Sequence, residues 1–454
     1  MYCKDYRKKI VESRDLEERK DRQLCILAYK HAYLKSNKNS RDEETHRTRL
    51  RRQRDRILYK GGFRRLQDKT QVISATTIGD HRTRLTHSLE VEQIAISIAD
   101  ALSLNTDLVA AIALGHDIGH TPFGHEVERV LDRELKVEGG FSHSLQSARY
   151  LDVIKELNLA DVIIEGILKH DTDFYFNDIN KYKQYNYEKY INDKDNGKMP
   201  STLEAQIVYW ADKLAYITHD FQDFYETEIY QKAIKHNGHN LKRELSELLS
   251  NITKKKLGYD LVGFDNSNLI RALIKNLIYT SFENMKAIEK SMDDIPDEIN
   301  RDDIDEIDRT SIKIKDIITR NTNKNFQNES KKYKDNGKCL DKKEKKKCYM
   351  ASLIIGFDKE YLEYYLALRQ ILDRYYICSP EVKRFDGKAG KIAKYLFDLF
   401  KENYRMLPRG IIDKIDIHPE DKNLIIADFI ASMTDSYAQS VYKDINAIGD
   451  YYKY

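Results

Sequence analysis

The sequence predicts an all-α protein, on three observations. Only 6 prolines and 19 glycines are spread over 454 residues, and these are the residue types that most often interrupt a helix. Apolar side chains recur at the three-to-four spacing of one helix face. Alternating, strand-like runs are scarce, with TQVIS (70–74) the main one.

Taken in order, residues 1–55 are dense in charge and read as a helical or partly disordered leader. In THSLEVEQIAISIADAL (86–102), Val91, Ile94, Ala95, Ile98 and Leu102 share one face, so a helix is expected to begin at His87. The same period runs through 203–220, 269–282 and 423–442. Between 170 and 200 the chain is rich in Tyr, Asn and Lys and reads as an inserted loop. Residues 320–347 read as a second polar, mobile segment whose Lys-rich end, 341–347, is a solvated loop. The final 100 residues are again helical in pattern.

Lys and Arg number 77 against 74 Asp and Glu, a net charge of +3, too small by itself to imply a nucleic-acid or membrane partner. Five cysteines (Cys3, Cys25, Cys339, Cys348 and Cys378) form no CxxC, which suits reduced thiols in a cytoplasmic protein. No apolar run approaches the ~18 residues of a membrane span. The Arg-dense stretch 46–69 has two readings. It is a salt-bridged, solvated helix face, or an anion surface for triphosphate, a nucleotide effector or single-stranded DNA.

GHDIGHTPFGHEVE (115–128) holds three histidines, three glycines and three carboxylates. Glycine and proline at that density end a helix and let the backbone turn tightly, which can aim several imidazoles at one point. His-Asp occurs three times, at 116–117, 170–171 and 219–220, and an isolated copy is more often a satisfied structural pair. The first copy differs because His87 and Asp212 complete what a metal needs. Asp212 lies among Trp210, Ala211, Leu214 and Ala215, where a carboxylate is costly to bury without a partner. Two imidazoles and two carboxylates (His87, His116, Asp117 and Asp212) suit Mn, Fe, Ni or Zn, with Mg preferring more oxygen. Asp212, Tyr216 and Asp220 form one helical stripe, fit either for an ordinary packed face or for a sugar ring.

His87, His116-Asp117 29 residues on (116 − 87), and Asp212 95 residues beyond Asp117 (212 − 117) resemble the H…HD…D pattern of the HD-domain metal-dependent phosphohydrolases. The strings RDRILYKGGFRRLQDKTQV, HRTRLTHSLEVEQIA, AIALGHDIGHTPFGHEVE, GGFSHSLQSAR and LEAQIVYWADKLAYITHD are similar to the dGTP triphosphohydrolase branch. The resemblance spans about 53–225, with LIIADFIASMTDSYA (424–438) similar to that family's C-terminal helix. It implies an HD-domain helical core over 56–240, after the leader 1–55. The helical region 241–454 would complete the nucleotide site and make oligomer contacts.

Hydrolysis of a dNTP, with dGTP preferred, to deoxynucleoside and triphosphate follows from the resemblance. So do metal ligation by His87, His116, Asp117 and Asp212, and catalysis by His125 with Glu128 and by His143. Gln71 and Asp220 would hold the sugar 3′-hydroxyl, and Tyr216 would stack on the deoxyribose and exclude a 2′-hydroxyl. Arg84, His120 and Lys213 would meet the phosphates. Which of His125 and His143 activates water and which protonates the leaving group stays open. A homo-oligomer, with a hexamer as the expected form, accompanies this reading. Two other readings compete: a different HD phosphohydrolase acting on monophosphates or cyclic nucleotides, and a nucleic-acid-binding HD protein. The intact ligand set argues against the last.

Overall fold

Among the residues described by the computed structural model (12–34, 46–72, 82–171, 185–190, 199–258, 261, 264–292, 303–332 and 341–446), every regular element is a helix. The isolated bridge between Thr70 and Thr83 is all that comes of the expected TQVIS strand, and residues 73 and 74 lie outside the described residues. In chain order the helices are α1 (Ser13–Asp21), α2 (Arg49–Leu58), α3 (Gly61–Arg65), α4 (Arg84–Ala101), α5 (Thr106–Gly115), α6 (His125–Glu134), α7 (His143–Arg149), α8 (Asp161–Lys169) and α9 (Leu203–Glu226). They continue with α10 (Glu228–Thr253), α11 (Asn266–Glu289), α12 (Ile304–Lys331), α13 (Lys342–Ser352), α14 (Lys359–Leu372), α15 (Pro380–Glu402), α16 (Arg409–Ile417), α17 (Lys422–Ser432) and α18 (Asp435–Asn446). No described helix is long and apolar enough to cross a membrane.

Helix α5 is apolar on nearly every face, a pattern that belongs inside a protein, and each residue from Asp107 to Gly115 is buried. Asn105 starts it by accepting from the backbone N–H groups of Asp107 and Leu108. Helices α2, α4, α8 and α9 pack around it. Helix α9 in turn carries buried polar side chains that reach distant parts of the chain. Glu204 Oε1 accepts from the N–H of Tyr29 at 2.9 Å and of Asn105 at 3.1 Å. Gln206 Oε1 accepts from the N–H of Ile354 at 2.9 Å and of Ile355 at 3.1 Å, and Trp210 Nε1 donates to the Ile355 carbonyl at 2.6 Å. Segments as far apart in the sequence as Tyr29 and Ile355 are therefore anchored on the helix that carries Asp212.

Three sequence expectations change. Helix α4 begins at Arg84, not His87, because Thr83 and Thr86 form a reciprocal cap, so His87 stands one turn inside. Residues 320–331 and 342–347 are helical, in α12 and α13, with 333–340 outside the described residues. Lysine favours helices, and Asp341 with Glu344 caps α13 from both directions. Of the expected loop 170–200, residues 172–184 and 191–198 lie outside the described residues. Tyr185 and Tyr187, between them, are buried, and Tyr185 donates to the Gly140 carbonyl at 3.1 Å. In the Arg-dense stretch, Arg47 pairs with Asp55, Arg49 with Glu17 and Arg54 with Glu92, which favours the salt-bridged face over the anion surface.

A buried ion cluster joins α1 to α5. His31 Nδ1 lies 2.7 Å from Asp21 and Nε2 3.2 Å from Asp107, which also accepts from Lys20 at 2.8 Å and Thr48 at 2.7 Å. Burial alone would lower the imidazole pKa, but the two carboxylates raise it above the ordinary value. A raised folded-state pKa contributes stability that is complete below the unfolded value of about 6.5 and is lost as pH rises through the folded value. His31→Gln is expected to cost about 3–5 kcal/mol at pH ~6. The gap between its urea midpoint and that of the wild type should shrink as pH rises; parallel curves would remove His31 from the pH dependence.

Candidate active site

The stretch 115–128 is a helix end, a tight loop and a helix start. Helix α5 stops at Gly115, Phe123 and Gly124 take left-handed φ of 58° and 76°, and α6 opens at His125. Gly119 has no room for a side chain: a Cβ there would lie 2.2 Å from Ser147 N and 2.4 Å from Gln146 C, both backbone atoms of α7. Ser147 Oγ accepts from the Gly119 N–H at 2.9 Å and donates to the His116 carbonyl at 2.6 Å. On the loop's other side, Lys69 Nζ donates to the carbonyls of His120 and, at 2.8 Å, Ala431. Asp435 accepts from the N–H groups of Phe123 at 2.8 Å and Thr70 at 3.0 Å. Burial pushes the Lys69 ammonium down to about 7. The loop is thus clamped from two sides.

His87, His116 and Asp212 come together, each offering a ligand atom within 4.8 Å of the others. His87 Nε2 is 3.1 Å and His116 Nε2 3.8 Å from Asp212 Oδ1. His116 Nδ1 donates to the Ala113 carbonyl at 2.6 Å, which fixes the tautomer and leaves Nε2 bare, buried and without a partner. That orphaned nitrogen, aimed at a second imidazole and a carboxylate, fits a divalent cation. Asp117 Oδ2 lies 3.9 Å from His116 Nε2 and accepts from Arg84 Nη1 at 2.7 Å. Burial opposes charge on Asp212, yet His87 and His116 hold its carboxyl well below the usual range.

His125 Nδ1 is 2.8 Å from Glu128 Oε2, while Oε1 of the same carboxylate accepts from His143 Nδ1 at 3.0 Å and its N–H at 2.9 Å. Glu128 is buried and the His125 side chain is nearly half exposed. Burial works against both charges, but Glu128 raises His143 to about 9 and the histidines hold Glu128 low. His170, which its sequence context gave no reason to single out, completes the group: its Nε2 faces His143 Nε2 at 3.1 Å. Burial, with His116 and His143, pushes His170 down to about 3.

One cavity is lined by Gln71, Arg84, Lys213 and Tyr216, and by His87, Asp117, His125, His143 and Asp212. Lys213 lies 3.5 Å from Asp171 and 4.0 Å from the Tyr209 ring centre. Asp220 and His120 are buried and stand behind this wall. Asp220 Oδ2 and Gln71 Oε1 are buried acceptors without a partner, and burial pushes Asp220 up to about 7. His120 stacks on His143 with centroids 4.9 Å apart. Burial and Arg84 keep its pKa well below the ordinary value, so it offers phosphate a donor only when an incoming anion favours its protonation.

The wall also carries residues that the sequence did not single out: Arg129, Asp171, Lys346, Tyr365, Arg369 and Ile377. Arg369 sits 4.4 Å from the Tyr216 ring centre. Lys346 belongs to the run that read as a solvated loop; its capping box was the available signal.

Two family models match the chain, an HD domain over 84–217 and a phosphohydrolase-associated domain over 355–444. A protein of Caldanaerobacter subterraneus subsp. tengcongensis called deoxyguanosinetriphosphate triphosphohydrolase-like is 32% identical over 404 residues, covering 88% of this chain and 85% of its own. Proteins with the same name from Rickettsia bellii (33% identical; 88% and 92% covered) and Geobacter metallireducens (31%; 95% and 97%) are similarly related.

Because the Gly119 position touches backbone on α7, Gly119→Ala is expected to destabilise the protein by about 3 kcal/mol or more. Chemical denaturation of the variant checks this, and an unchanged midpoint would mean the loop does not seat on α7 as described.

Proposed function

We infer the reaction from one premise: the chain belongs to the family of deoxyguanosinetriphosphate triphosphohydrolase-like proteins, which are HD-domain phosphohydrolases. The reaction proposed is hydrolysis of dNTPs, dGTP foremost, to deoxynucleoside and inorganic triphosphate by attack of water at the α-phosphorus. The observation that carries it is that one cavity is shared by the His87–Asp212 ligand group, the His125–Glu128 pair, the cations Arg84 and Lys213, and Tyr216.

The divalent ion that His87, His116, Asp117 and Asp212 would hold supplies charge neutralisation on phosphate oxygen and acidifies water when bound. Arg84 and Lys213 offset triphosphate charge. Arg84 does so while its Nη1 orients Asp117, and His120 assists once protonated. His125 moves a proton at its exposed Nε2, because Glu128 holds Nδ1 and so fixes the tautomer. Gln71 and Asp220 hold the sugar 3′-hydroxyl between them: its one hydrogen goes to the unpartnered Asp220 Oδ2, and its oxygen accepts from the Gln71 side-chain amide. Tyr216 lies against the deoxyribose.

Incubating the protein with each dNTP and Mn²⁺ or Mg²⁺, with and without a second nucleotide as effector, and separating products by ion exchange tests the reading. Intact triphosphate with deoxynucleoside is expected. Diphosphate or single phosphate would move the chain to another HD chemistry, and no turnover under any condition would point to a binding role. His116→Ala and Asp212→Ala are expected to lose metal and turnover together. His125→Ala should keep the metal and lose rate by ~10²–10⁴, and full activity would remove it from the mechanism. A homo-oligomer, with a hexamer as the expected form, is proposed on the exposed Tyr279 and Phe282, one turn apart on α11. A light-scattering mass near the chain's 53.4 kDa would overturn it.

A further inference from the structure

We propose that Lys346, on the lysine-rich helix α13, is a substrate-binding residue that holds the outer phosphates of the nucleotide at the mouth of the cavity. This role rests on the triphosphate reading given above. Lys346 itself lies in neither of the two matched domains.

Helix α13 reaches the cavity through its contacts with α9. Gln206 and Trp210 hold the backbone of residues 354 and 355, just beyond the end of α13. Within α13, Tyr349 is fully buried, and its ring meets that of Tyr209 with centroids 5.4 Å apart. The same Tyr209 ring carries Lys213 Nζ at 4.0 Å. Lys346 precedes Tyr349 by three residues, so the two share one side of the helix, and Lys346 lines the cavity together with Lys213. The lysines of the run therefore have different fates. Lys343 is exposed, Lys347 pairs with Glu363 at 2.5 Å, and Lys346 is partly buried in the cavity wall.

The cations of that wall are graded by depth. Arg84 and Lys213 are almost fully buried. Each faces a carboxylate of the same wall, Arg84 with Asp117 at 2.7 Å and Lys213 with Asp171 at 3.5 Å, so part of their field is already offset. Arg129, one turn beyond His125 on α6, is half exposed and donates twice to Glu126, at 2.7 and 2.9 Å. Lys346 brings a further cation to the opening from a helix that carries four other lysines in its first two turns. That run makes the local potential positive.

A nucleotide with its α-phosphorus at the His87–Asp212 group and its sugar at Gln71 and Asp220 has two more phosphates to place. Asp117, Asp171 and Asp212 oppose them inside the cavity, whereas the cationic mouth attracts them. Lysine suits this position because its ammonium is a compact charge on a flexible stem, able to follow a phosphate chain anchored at one end. A monophosphate would reach the ligand group without reaching Lys346. Helix α13 thereby gives the site a means of selecting long phosphate chains over short ones.

Titration calorimetry of inorganic tripolyphosphate and of orthophosphate, each with Mg²⁺ in excess, into the full-length protein tests this contact without requiring turnover. Lys346→Met is expected to weaken tripolyphosphate ~10-fold or more, as for a lost charge-assisted contact, and to leave orthophosphate within about twofold. Lys346→Arg should recover most of the affinity. Lys343→Met removes the same charge from the same helix outside the cavity and should match the wild type; circular dichroism checks that each variant is folded. An equal loss in Lys343→Met would reduce the effect to a general field and overturn the contact. So would a tripolyphosphate affinity that is unchanged in Lys346→Met or absent from the wild type. Selective loss in Lys346→Met, in a protein that releases no triphosphate from any dNTP, would keep the site and remove the reaction. Triphosphate release with an unaltered KM in Lys346→Met would keep the reaction and remove the site.

Discussion

A carboxylate taken out of water costs several kcal/mol unless partners restore what solvent supplied. This protein buries two in one cluster, Asp117 and Glu128, and half-buries a third, Asp212, and the helices around them are placed so that each finds a cation or an imidazole. Arg84 reaches Asp117 from the first turn of α4, His87 reaches Asp212 from the second, and Glu128 is held between His125 and His143. None of these pairs is local in sequence except His125 with Glu128. The cluster therefore exists only when α4, α5, α6, α7 and α9 meet at one place. Helix ends do most of the delivery. Helices α5 and α8 stop at the cluster, whereas α6 and α7 begin there.

Helix α9 makes the meeting durable. It brings Asp212 in its middle, while Glu204, Gln206 and Trp210 nearer its start hold Tyr29, Asn105 and the 354–355 backbone. Lys69 and Asp435 add a second tie, from the start of the core to α18, with the 115–128 loop between them. Positioning at this level matters because an ångström of misplacement costs reactive geometry dearly, and the loop has two residues of left-handed backbone that only such contacts hold in place.

The helical class, the tight turn at 115–128 and the three-residue step from His125 to Glu128 were legible because each is written locally, in apolar period, in glycine-rich turn chemistry, or in residue spacing; the meeting of His87, His116 and Asp212 was expected from the H…HD…D resemblance, and their ligation of a metal is a proposal. His170 was not. Its His-Asp copy sits at the end of an ordinary amphipathic helix, and only the packing of α8 on α7 aims the ring at His143. Arg369, Tyr365 and Lys346 were equally hidden, since their distance from 115–128 is closed by tertiary structure alone. The Lys-rich run was misread because charge density was weighed above helix propensity and above the Asp341–Glu344 cap. In the Arg-dense run the reverse problem arose: the partners of Arg49 and Arg54, Glu17 and Glu92, lie 32 and 38 residues away.

The tie through Asp435 also has a meaning in time. Asp435 is synthesised 365 residues after Thr70, on the order of a minute or less at about 5–20 residues per second. Throughout that interval the nascent chain can gather its histidines and carboxylates on α4 to α9, yet the loop that carries them has only one of its two clamps. Seating of the histidine–carboxylate cluster is thereby linked to completion of α17 and α18, and a prematurely released chain leaves its loop without the second clamp.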